Sequence, residues 1–483
     1  MRLFFFLMLV FSPLALANVA RPNIVLFLVD DMGRDDPAFM GNTWHETPAM
    51  DALAAHGVVF TNAYAAAPNC KPSRASLLTG TYPTKHGVYT AVPPNANEMN
   101  QQRFIAPATR YQLPIGTPTL ASLLKAEGYQ TALIGKWDLG EHDTAPAAFG
   151  FDHAIGWFRG GRLVNGFFAP YDLPGLEQAE EGEYLTTRLG REAARFIASS
   201  QQPFFLMVSH YAVHVPLQAP ADAVAHFRNK PRPGDGYNAT YAAMLKEVDS
   251  SLADVVAALE ARGERENTII IITSDNGAMA ELAMPSFLHG GKGSLSEGGI
   301  RVPLIWSGPG RVAGRVDAPV SHIDILPTVM QQLGLSINNV DGVDVSPCLQ
   351  NPACSLSRSL YWHFPAYITD PRFASGHSAS PAAAIRQGDW KLIDNMETGT
   401  YALFNLHDDI AEQHDLYRTR PDKARELRDA LLHWQAQEQA AMPAPNPAYH
   451  TLTGWPWLRH SLQQIWQRWT TRLTVWLVLR DTE

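Results

Sequence analysis

The stretch Ile24–Gly33, IVLFLVDDMG, begins as an unbroken apolar run and ends in two acidic residues and a turn. Such a run predicts a strand that is buried on both faces of a parallel sheet. Open α/β sheets bind their ligands at the carboxyl ends of the strands, which is where Asp30 and Asp31 fall. Adjacent carboxylates repel each other unless they are neutralised. The stretch therefore predicts a site for a hard divalent cation, with a solvated turn as the alternative.

Three later apolar runs also end in polar side chains. They are Thr131–Ile134 followed by Lys136, Phe204–Ser209 followed by His214, and Thr268–Thr273 followed by Asp275 and Asn276. A lysine behind a buried strand is either an anion ligand or a snorkelling surface side chain. A histidine in that place is a candidate general acid or base, although a lone histidine is usually structural. Together with Asp30 and Asp31, the third run offers only oxygen donors, which favours Ca²⁺ or Mg²⁺ over zinc.

The stretch Asn69–Gly80, NCKPSRASLLTG, predicts a short helix with a cysteine at its start. Pro72 suits the first helical position and Gly80 suits a C-terminal cap. A helix N-terminus lowers the pKa of a nearby thiol and attracts anions. Cys70 is therefore a candidate reaction site, with a structural cysteine in front of an ordinary helix as the alternative.

The other two cysteines, Cys348 and Cys354, are predicted to close a small disulfide ring. This pairing and an N-terminal apolar segment ending in Ala15-Leu16-Ala17 both indicate export. Residues 1–17 are predicted to be a cleaved signal peptide, and the mature protein is predicted to be periplasmic or secreted. A retained membrane anchor is the alternative.

The overall composition limits the partners. The 483 residues include 38 Lys and Arg against 47 Asp and Glu, a formal net charge of −9, and 46% are hydrophobic. This balance does not favour a nucleic-acid partner, so an anionic substrate has to be held by local positive charge. The glycine-rich stretch His289–Pro303 carries such a charge in Lys292, and its glycines allow the backbone to approach a ligand. A flexible loop is the alternative.

The pattern of elements changes along the chain. Residues 18–345 are predicted to form the main domain and residues 346–445 a smaller α+β domain with antiparallel strands. The predicted elements of the smaller domain are the strands Ser359–Phe364, Ala384–Ile393 and Tyr401–Leu406 and the helix Pro421–Gln439. Residues 446–483 form a Trp/Arg-rich tail with apolar residues at helical spacing. It is predicted to contact a membrane surface or a second subunit, or to pack on the protein's own body.

A series of short segments between residues 22 and 420 follows the order of motifs in one known family. The segments are Asp30-Asp31, Cys70-Lys71-Pro72-Ser73-Arg74, Gly135-Lys136-Trp137, His214-Val215-Pro216, Ser274-Asp275-Asn276-Gly277, Gly291-Lys292-Gly293, Glu297-Gly298-Gly299, Gly388-Asp389-Trp390-Lys391-Leu392 and Leu403-Phe404-Asn405-Leu406. This set resembles the type I (formylglycine-dependent) sulfatase family of the alkaline-phosphatase-like superfamily. The resemblance implies an α/β/α sandwich with a smaller C-terminal α+β subdomain, in which residues 18–345 are the sulfatase catalytic domain.

The resemblance also implies the cofactors and the roles of the site residues. It implies one calcium ion per chain and a maturation enzyme that converts Cys70 to 3-oxoalanine (formylglycine), the nucleophile. The implied metal ligands are Asp30, Asp31, Asp275, Asn276 and the modified residue 70. The implied catalytic side chains are Arg74, Lys136 and Lys292, which neutralise the sulfuryl oxygens, and His214 or Lys292, which protonates the leaving alcohol.

One position departs from the family pattern. Most of the family has histidine where this chain has Asp138, two residues after Lys136. An ionised aspartate that faces a sulfate needs a partner, such as Lys136 or a substrate hydroxyl. Asp138 is therefore predicted to bind the substrate, together with Lys136, His214 and Lys292.

The polar segment Thr81–Gly116 is predicted to be a loop that forms part of the cleft rim, with Tyr82, Tyr89 and Tyr111 available for stacking on a sugar. The predicted function is removal of sulfate from sulfated mono- or oligosaccharides. The alternatives are an arylsulfatase, a phosphodiester or phosphonate hydrolase on the same fold, and a weakly active relative that binds sulfated glycans.

Overall fold

The structure is a computed structural model that describes residues 21–91, 102–140, 144–158, 160, 163–201, 203–279, 282, 286–369 and 378–449. The predicted signal peptide and all but the first four residues of the predicted tail lie outside these residues. Among the helices that the structure does describe, none is long and apolar enough to cross a bilayer.

The strands form one large sheet and three small ones. In chain order they are β1 (Asn23–Val29), β2 (Val58–Tyr64), β3 (Phe104–Ile105), β4 (Gln130–Gly135), β5 (His153–Ile155), β6 (Phe204–Ser209), β7 (Thr268–Ser274), β8 (Arg301–Ser307), β9 (Gly314–Val316), β10 (Val320–Ser321), β11 (Ser359–Phe364), β12 (Ile368–Thr369), β13 (Ser378–Ala379), β14 (Ala382–Gln387), β15 (Trp390–Asn395), β16 (Thr400–Asn405) and β17 (Ala444–Pro445). The large sheet runs β10-β2-β8-β7-β1-β6-β4-β5, with β9 beside β2.

Helices cover both faces of the large sheet. In chain order they are α1 (Pro48–His56), α2 (Cys70–Thr79), α3 (Pro83–His86), α4 (Leu120–Ala126), α5 (Leu185–Ser199), α6 (Ala221–Asn229), α7 (Ala239–Ala261), α8 (Glu297–Ile300), α9 (Ile325–Gln332), α10 (Ser346–Gln350) and α11 (Pro421–Gln437). Strand β1 supplies Val25 and Phe27 to the core under α1, α5 and α7, and Ile24 and Leu26 to the core under α2, α4 and α9. The predicted α/β/α sandwich is confirmed.

The register of the central strands aligns their carboxyl ends. Strands β7, β1, β6 and β4 are parallel neighbours, in which Val29 pairs with Ser274, Leu28 with Ser209, and Ser209 with Gly135. The residues that follow these strands therefore leave the sheet at one edge, as open α/β sheets require of their ligand sites.

The smaller C-terminal unit is a four-stranded antiparallel sheet, β11-β14-β15-β16, with α11 packed on it. The stretch Ala384–Ile393, predicted as one strand, is instead the end of β14, a turn at Gly388 and the start of β15. Gly388 has φ +58°, a left-handed value that glycine adopts without strain. Cys348 and Cys354 are disulfide-bonded, and Cys348, which lies in α10, is buried in the same core as the apolar residues of α9.

Asp249 in α7 holds the start of α1, since its carboxylate accepts hydrogen bonds from the backbone N–H groups of Ala49 (2.9 Å) and Met50 (2.8 Å). Burial raises the pKa of Asp249 from 3.8 to about 6. A raised pKa gives stability that is complete below the unfolded-state pKa and is lost as the pH rises through the folded-state value.

We therefore expect Asp249→Asn to cost less stability at about pH 7.5 than at about pH 4, by on the order of 2 kcal/mol, because the amide does not ionise. Urea unfolding of wild type and variant at both pH values measures this difference. The same cost at the two pH values would contradict the assignment.

Candidate active site

Helix α2 places Cys70 at the carboxyl edge of the sheet. The helix begins at Cys70, two residues before the predicted start, and ends at Gly80, whose φ of +68° confirms the predicted C-terminal cap. The thiol lies 3.5 Å from Asp30 Oδ1 and 3.9 Å from Asp31 Oδ1, and Lys292 Nζ donates to the sulfur at 3.1 Å. Cys70 is therefore surrounded by the groups that were predicted to act with it.

The acidic residues of two strands meet around this cysteine. One ligand atom from each of Asp30, Asp31, Cys70 and Asp275 lies within 4.8 Å of the others, and all four residues are buried. Asn276 donates from Nδ2 to Asp31 Oδ1 at 2.7 Å. Its Oδ1 is buried and has no hydrogen-bond partner among the described residues. A set of carboxylate oxygens with an unsatisfied amide oxygen fits a hard cation such as Ca²⁺.

Each of the three carboxylates forms an ion pair with a basic side chain. Lys136 donates to Asp30 at 2.5 Å, Lys292 lies 2.7 Å from Asp31, and Arg74 Nε donates to Asp275 at 2.8 Å. Each basic side chain is at most 11% exposed. Because three positive side chains already offset three carboxylates, a divalent cation would leave the centre with excess positive charge. The site can then attract an anion although the whole chain is acidic.

The pKa values in the cluster reflect this balance. Burial, reinforced by Asp275, raises the pKa of Asp30 to about 8. Burial acts in the same direction on Asp31, but Lys292, His214 and Lys136 together outweigh it and lower the pKa of that carboxyl. The pKa of the Cys70 thiol was expected to be low at the helix N-terminus. It is instead raised, because burial and the carboxylates of Asp275 and Asp30 disfavour a thiolate there.

The two lysines keep their protons in this setting. Burial acts to lower the pKa of Lys136 and Lys292, but their carboxylate partners outweigh burial and raise both pKa values. His214 behaves differently, since burial followed by the charge of Lys292 lowers its pKa to about 3. Its Nδ1 is bonded to the Val215 carbonyl at 2.8 Å, and its Nε2 lies 3.7 Å from Asp31 Oδ2. His214 is thus neutral, with one ring nitrogen facing the acidic cluster.

Asp138 is buried beside the cluster with a partner that the sequence did not indicate. It has φ +57° and is 1% exposed, and its Oδ1 lies 3.4 Å from Lys71 Nζ rather than on Lys136. Its Oδ2 has no hydrogen-bond partner in the described part of the chain. Lys71 also donates to the Tyr111 carbonyl at 2.9 Å. The only sequence signal for Lys71 was its place beside Cys70.

The predicted aromatic rim is mostly wrong. Tyr82 is 6% exposed and packs on Trp434 of the C-terminal unit, and Tyr89 is 5% exposed. Of the three tyrosines, Tyr111 alone is exposed, at 38%, and it borders a cavity of about 280 Å³. The segment also contains α3 and β3, so it is not wholly loop. The polar composition of this segment gave no signal that Tyr82 packs in the hydrophobic core of the C-terminal unit.

A larger cavity opens beside Lys292. Its volume is about 670 Å³, and it lies between the glycine-rich loop and the C-terminal sheet. Polar and aromatic side chains share its walls, among them Phe287, His289, Asn395 and Gln413. Sequence reasoning missed this wall because Asn395 and Gln413 lie more than ninety residues beyond the loop in the chain.

Ser209 also belongs to the site and was missed. Its hydroxyl accepts from Arg74 at 2.7 Å and donates to the Lys136 carbonyl at 2.7 Å. The serine thereby fixes the guanidinium and the start of the segment after β4. A serine that ends a buried strand, next to the candidate His214 segment, was the available signal.

The comparisons with known proteins identify the family. The family model described as Sulfatase matches residues 22–335, and the model described as N-sulphoglucosamine sulphohydrolase, C-terminal, matches residues 291–439. N-acetylgalactosamine-6-sulfatase of Canis lupus familiaris is 34% identical over 365 residues, which cover 68% of this chain and 66% of that protein. Arylsulfatase A of Bos taurus is 29% identical over 478 residues, which cover 88% of this chain and 90% of that protein.

Solved structures of other proteins share the fold of this chain. The crystal structure of Ps i-CgsB in complex with k-i-k-neocarrahexaose aligns with a TM-score of 0.72 and 30% identity, covering 92% of this chain and 99% of that one. The phosphonate monoester hydrolase of Agrobacterium radiobacter shares the fold, with a TM-score of 0.64 and 22% identity over 90% of this chain and 98% of that one. The chain belongs to the sulfatase family, whose members are sulfuric ester hydrolases, and its fold is the alkaline-phosphatase-like sandwich.

Proposed function

We propose that the protein is an exported, calcium-dependent sulfatase that removes sulfate from sulfated carbohydrates, with Cys70 converted to formylglycine by a maturation enzyme. The observation that carries the proposal is the position of residue 70. It contacts Asp30 and Asp31 on one side and Lys292 on the other. A nucleophile at this position is held next to both a cation site and a proton donor.

The proposed formylglycine and calcium ion would each contribute one kind of chemistry. Formylglycine would supply a hydroxyl oxygen as the nucleophile, and Ca²⁺ would supply positive charge for the sulfuryl oxygens. The residues proposed to hold the ion are Asp30, Asp31, Asp275 and Asn276, with residue 70. Every carboxylate in this set is already paired with a buried or largely buried cation, so these ligands are held in place without an ion.

The basic side chains have separate roles in this proposal. Arg74 is fixed by Asp275 and Ser209, so it orients the cluster and adds charge for the sulfuryl group. Lys136 is held by its ion pair with Asp30 and likewise adds positive charge for the sulfuryl group. Lys292 carries a proton 3.1 Å from the reacting atom, which makes it the proton donor to the leaving alcohol. His214 has its Nδ1 bonded to Val215, so its Nε2 is left to position the substrate.

The substrate class follows from the cavity and from the relatives. A cavity of about 670 Å³ with both polar and aromatic walls accommodates a sugar through hydrogen bonds and stacking. The relatives include an N-acetylgalactosamine-6-sulfatase and a protein crystallised with a neocarrahexaose. We infer that the leaving alcohol is a hydroxyl of a sugar in a mono- or oligosaccharide.

Asp138 is proposed to contact a substrate hydroxyl with its free Oδ2, while Lys71 holds Oδ1. We expect Asp138→Ala to lower kcat/KM for a sulfated sugar by roughly tenfold more than for a small aryl sulfate, because one charge-assisted hydrogen bond is lost. The aryl sulfate is the matched control, since it lacks the hydroxyls. An equal loss of kcat/KM on the two substrates would show that Asp138 does not take part in sugar recognition.

Export and the tail are part of the proposal, although residues 1–17 and 450–483 lie outside the described residues. We propose that the signal peptide is removed after Ala17 and that the tail contacts a membrane surface or a second subunit. N-terminal sequencing of protein from the native host tests the first statement. Truncation after Pro447 tests the second, and unchanged lipid binding and oligomer size would count against it.

A substrate screen tests the whole assignment. Protein made together with a formylglycine-generating enzyme is assayed on sulfated sugars, an aryl sulfate, a phosphodiester and a phosphonate ester. The proposal predicts the highest kcat/KM on a sulfated sugar. A preference for the phosphorus esters would favour the phosphodiester or phosphonate alternative, and a preference for hydrophobic sulfates would overturn the carbohydrate assignment.

A further inference from the structure

Two motifs that the catalytic site does not use meet inside the protein. Glu297 begins α8, and Lys391 lies on β15 of the C-terminal sheet; both side chains are fully buried. Lys391 Nζ lies 2.8 Å from a carboxylate oxygen of Glu297 and 2.8 Å from one of Glu412. The backbone N–H of Glu297 donates to Glu412 at 2.7 Å. We call these three residues the Lys391 clamp.

The main domain completes the surroundings of the clamp. Tyr64 donates to Glu297 Oε2 at 2.7 Å, and Arg301 NH1 donates to the same oxygen at 3.1 Å. Arg386 of β14 bonds to the Tyr64 hydroxyl. The Glu297 carboxylate therefore receives donors from both structural units, and the cations hold its pKa down at about 2 although burial opposes this.

Backbone bonds connect the clamp to Lys292. The glycine-rich loop is closed by a bond from Gly298 N to the His289 carbonyl, at 2.8 Å. On its other side the loop is tied to the segment after β7, where Lys292 N donates to the Ala278 carbonyl at 2.8 Å. A Cβ at Gly298 would lie 2.6 Å from the His289 carbonyl oxygen, so the loop packs tightly on the start of α8. The loop that carries Lys292 is therefore packed directly against the start of α8, where Glu297 lies.

A buried ion cluster is a costly way to gain stability, because desolvation offsets most of the attraction between its charges. Such a cluster instead fixes geometry, because each buried charged side chain has a single low-energy position next to its partners. Within the Lys391 clamp, that position is set by the C-terminal sheet and imposed on the loop that carries Lys292.

We propose that Lys391 and Glu412 are positioning residues, through which the C-terminal sheet sets the place of Lys292 beside residue 70. The role of Lys292 in the reaction rests on the proposed function, whereas the mechanical coupling of the clamp to the loop does not. The C-terminal unit is in this view part of the catalytic apparatus without contacting the reacting atoms.

The first test is a double-mutant cycle on kcat/KM in matured enzyme. We expect Lys391→Met to lower kcat/KM by about 10- to 100-fold, the range seen when partners behind a functional side chain are removed. In a Lys292→Ala background the same change should cost less than threefold, because the residue being positioned is gone. Losses that multiply fully in the double variant would overturn the proposal.

A matched control separates positioning from simple loss of stability. Arg358 forms a partly buried ion pair with Asp324 and also donates to the Pro319 carbonyl, so its hydrogen bonds do not reach the glycine-rich loop; its side chain is 15% exposed. We expect Arg358→Met to act independently of Lys292→Ala, so that the two effects on kcat/KM multiply. Coupling of the same size in this control would contradict a specific role for the clamp.

Hydrogen exchange tests the coupling without any activity. In Lys391→Met, amides of residues 289–299 should exchange at least tenfold faster than in wild type, while those of β1 and β7 stay protected. If Lys391→Met does not fold, Glu412→Gln, which retains the side-chain volume, must show the same local increase. Unchanged exchange in the loop of the folded variant would refute the clamp even if the protein proves to be a sulfatase. Faster exchange would support it even if the substrate proves to be another ester.

Discussion

We expect replacement of Cys70 with alanine to lower sulfatase activity by about 10⁴-fold or more, because it removes the side chain proposed to become the nucleophile, next to the cation site and Lys292. Loss of the nucleophile removes the covalent route, and the remaining charges supply only residual catalysis. Initial rates on a sulfated sugar, normalised to folded protein, measure the effect.

Cys354→Ser is the matched control for this substitution. It also removes a sulfur, but from the disulfide with Cys348, distant in sequence from the active-site motifs. We expect it to lower the unfolding temperature while the activity of each folded molecule stays within about threefold of wild type. Retention of a large share of activity in Cys70→Ala would show that another group is the nucleophile.

We expect replacement of Asp275 with asparagine to abolish the proposed calcium binding and to lower activity by about 10³-fold or more. The carboxylate is a proposed ligand and also holds Arg74, so its loss takes charge from the ion and a partner from the guanidinium. Asparagine keeps the volume, which limits collapse of the site. Calcium titration followed by thermal unfolding reports ion binding apart from turnover.

The wild type should gain about 2.7 kcal/mol of stability at a calcium concentration 100 times its Kd, and a strong chelator should abolish this gain together with activity. Asp275→Asn should show no gain. Asp249→Asn replaces a buried carboxylate outside the cluster, so this variant should respond to calcium like the wild type. Full activity of the wild type in chelator would refute the calcium assignment.

The sheet edge could be predicted from sequence because it rests on local signals. A buried parallel strand is a short apolar run, and the polar residue that ends it must lie at the carboxyl edge. Asp30, Lys136 and Asp275 followed this rule, and the structure brings them together around Cys70.

The remaining contacts depend on pairs that are distant in the chain. Lys71 and Asp138, and Glu297 and Lys391, are joined by the packing of separate elements, for which a single sequence carries no periodic signal. The raised pKa of Cys70 was missed for a related reason, since burial is a tertiary property and outweighs the local effect of a helix end. The boundary between the predicted domains 18–345 and 346–445 stays a prediction.

The central claim is that residue 70 acts as formylglycine. Its most direct measurement is peptide mass spectrometry of the segment that contains residue 70, performed on preparations that were matured to different extents and assayed in parallel on one sulfated sugar. The proposal predicts that activity rises in proportion to the aldehyde fraction and extrapolates to zero for the thiol form. Full activity in a preparation that contains only the thiol would contradict it.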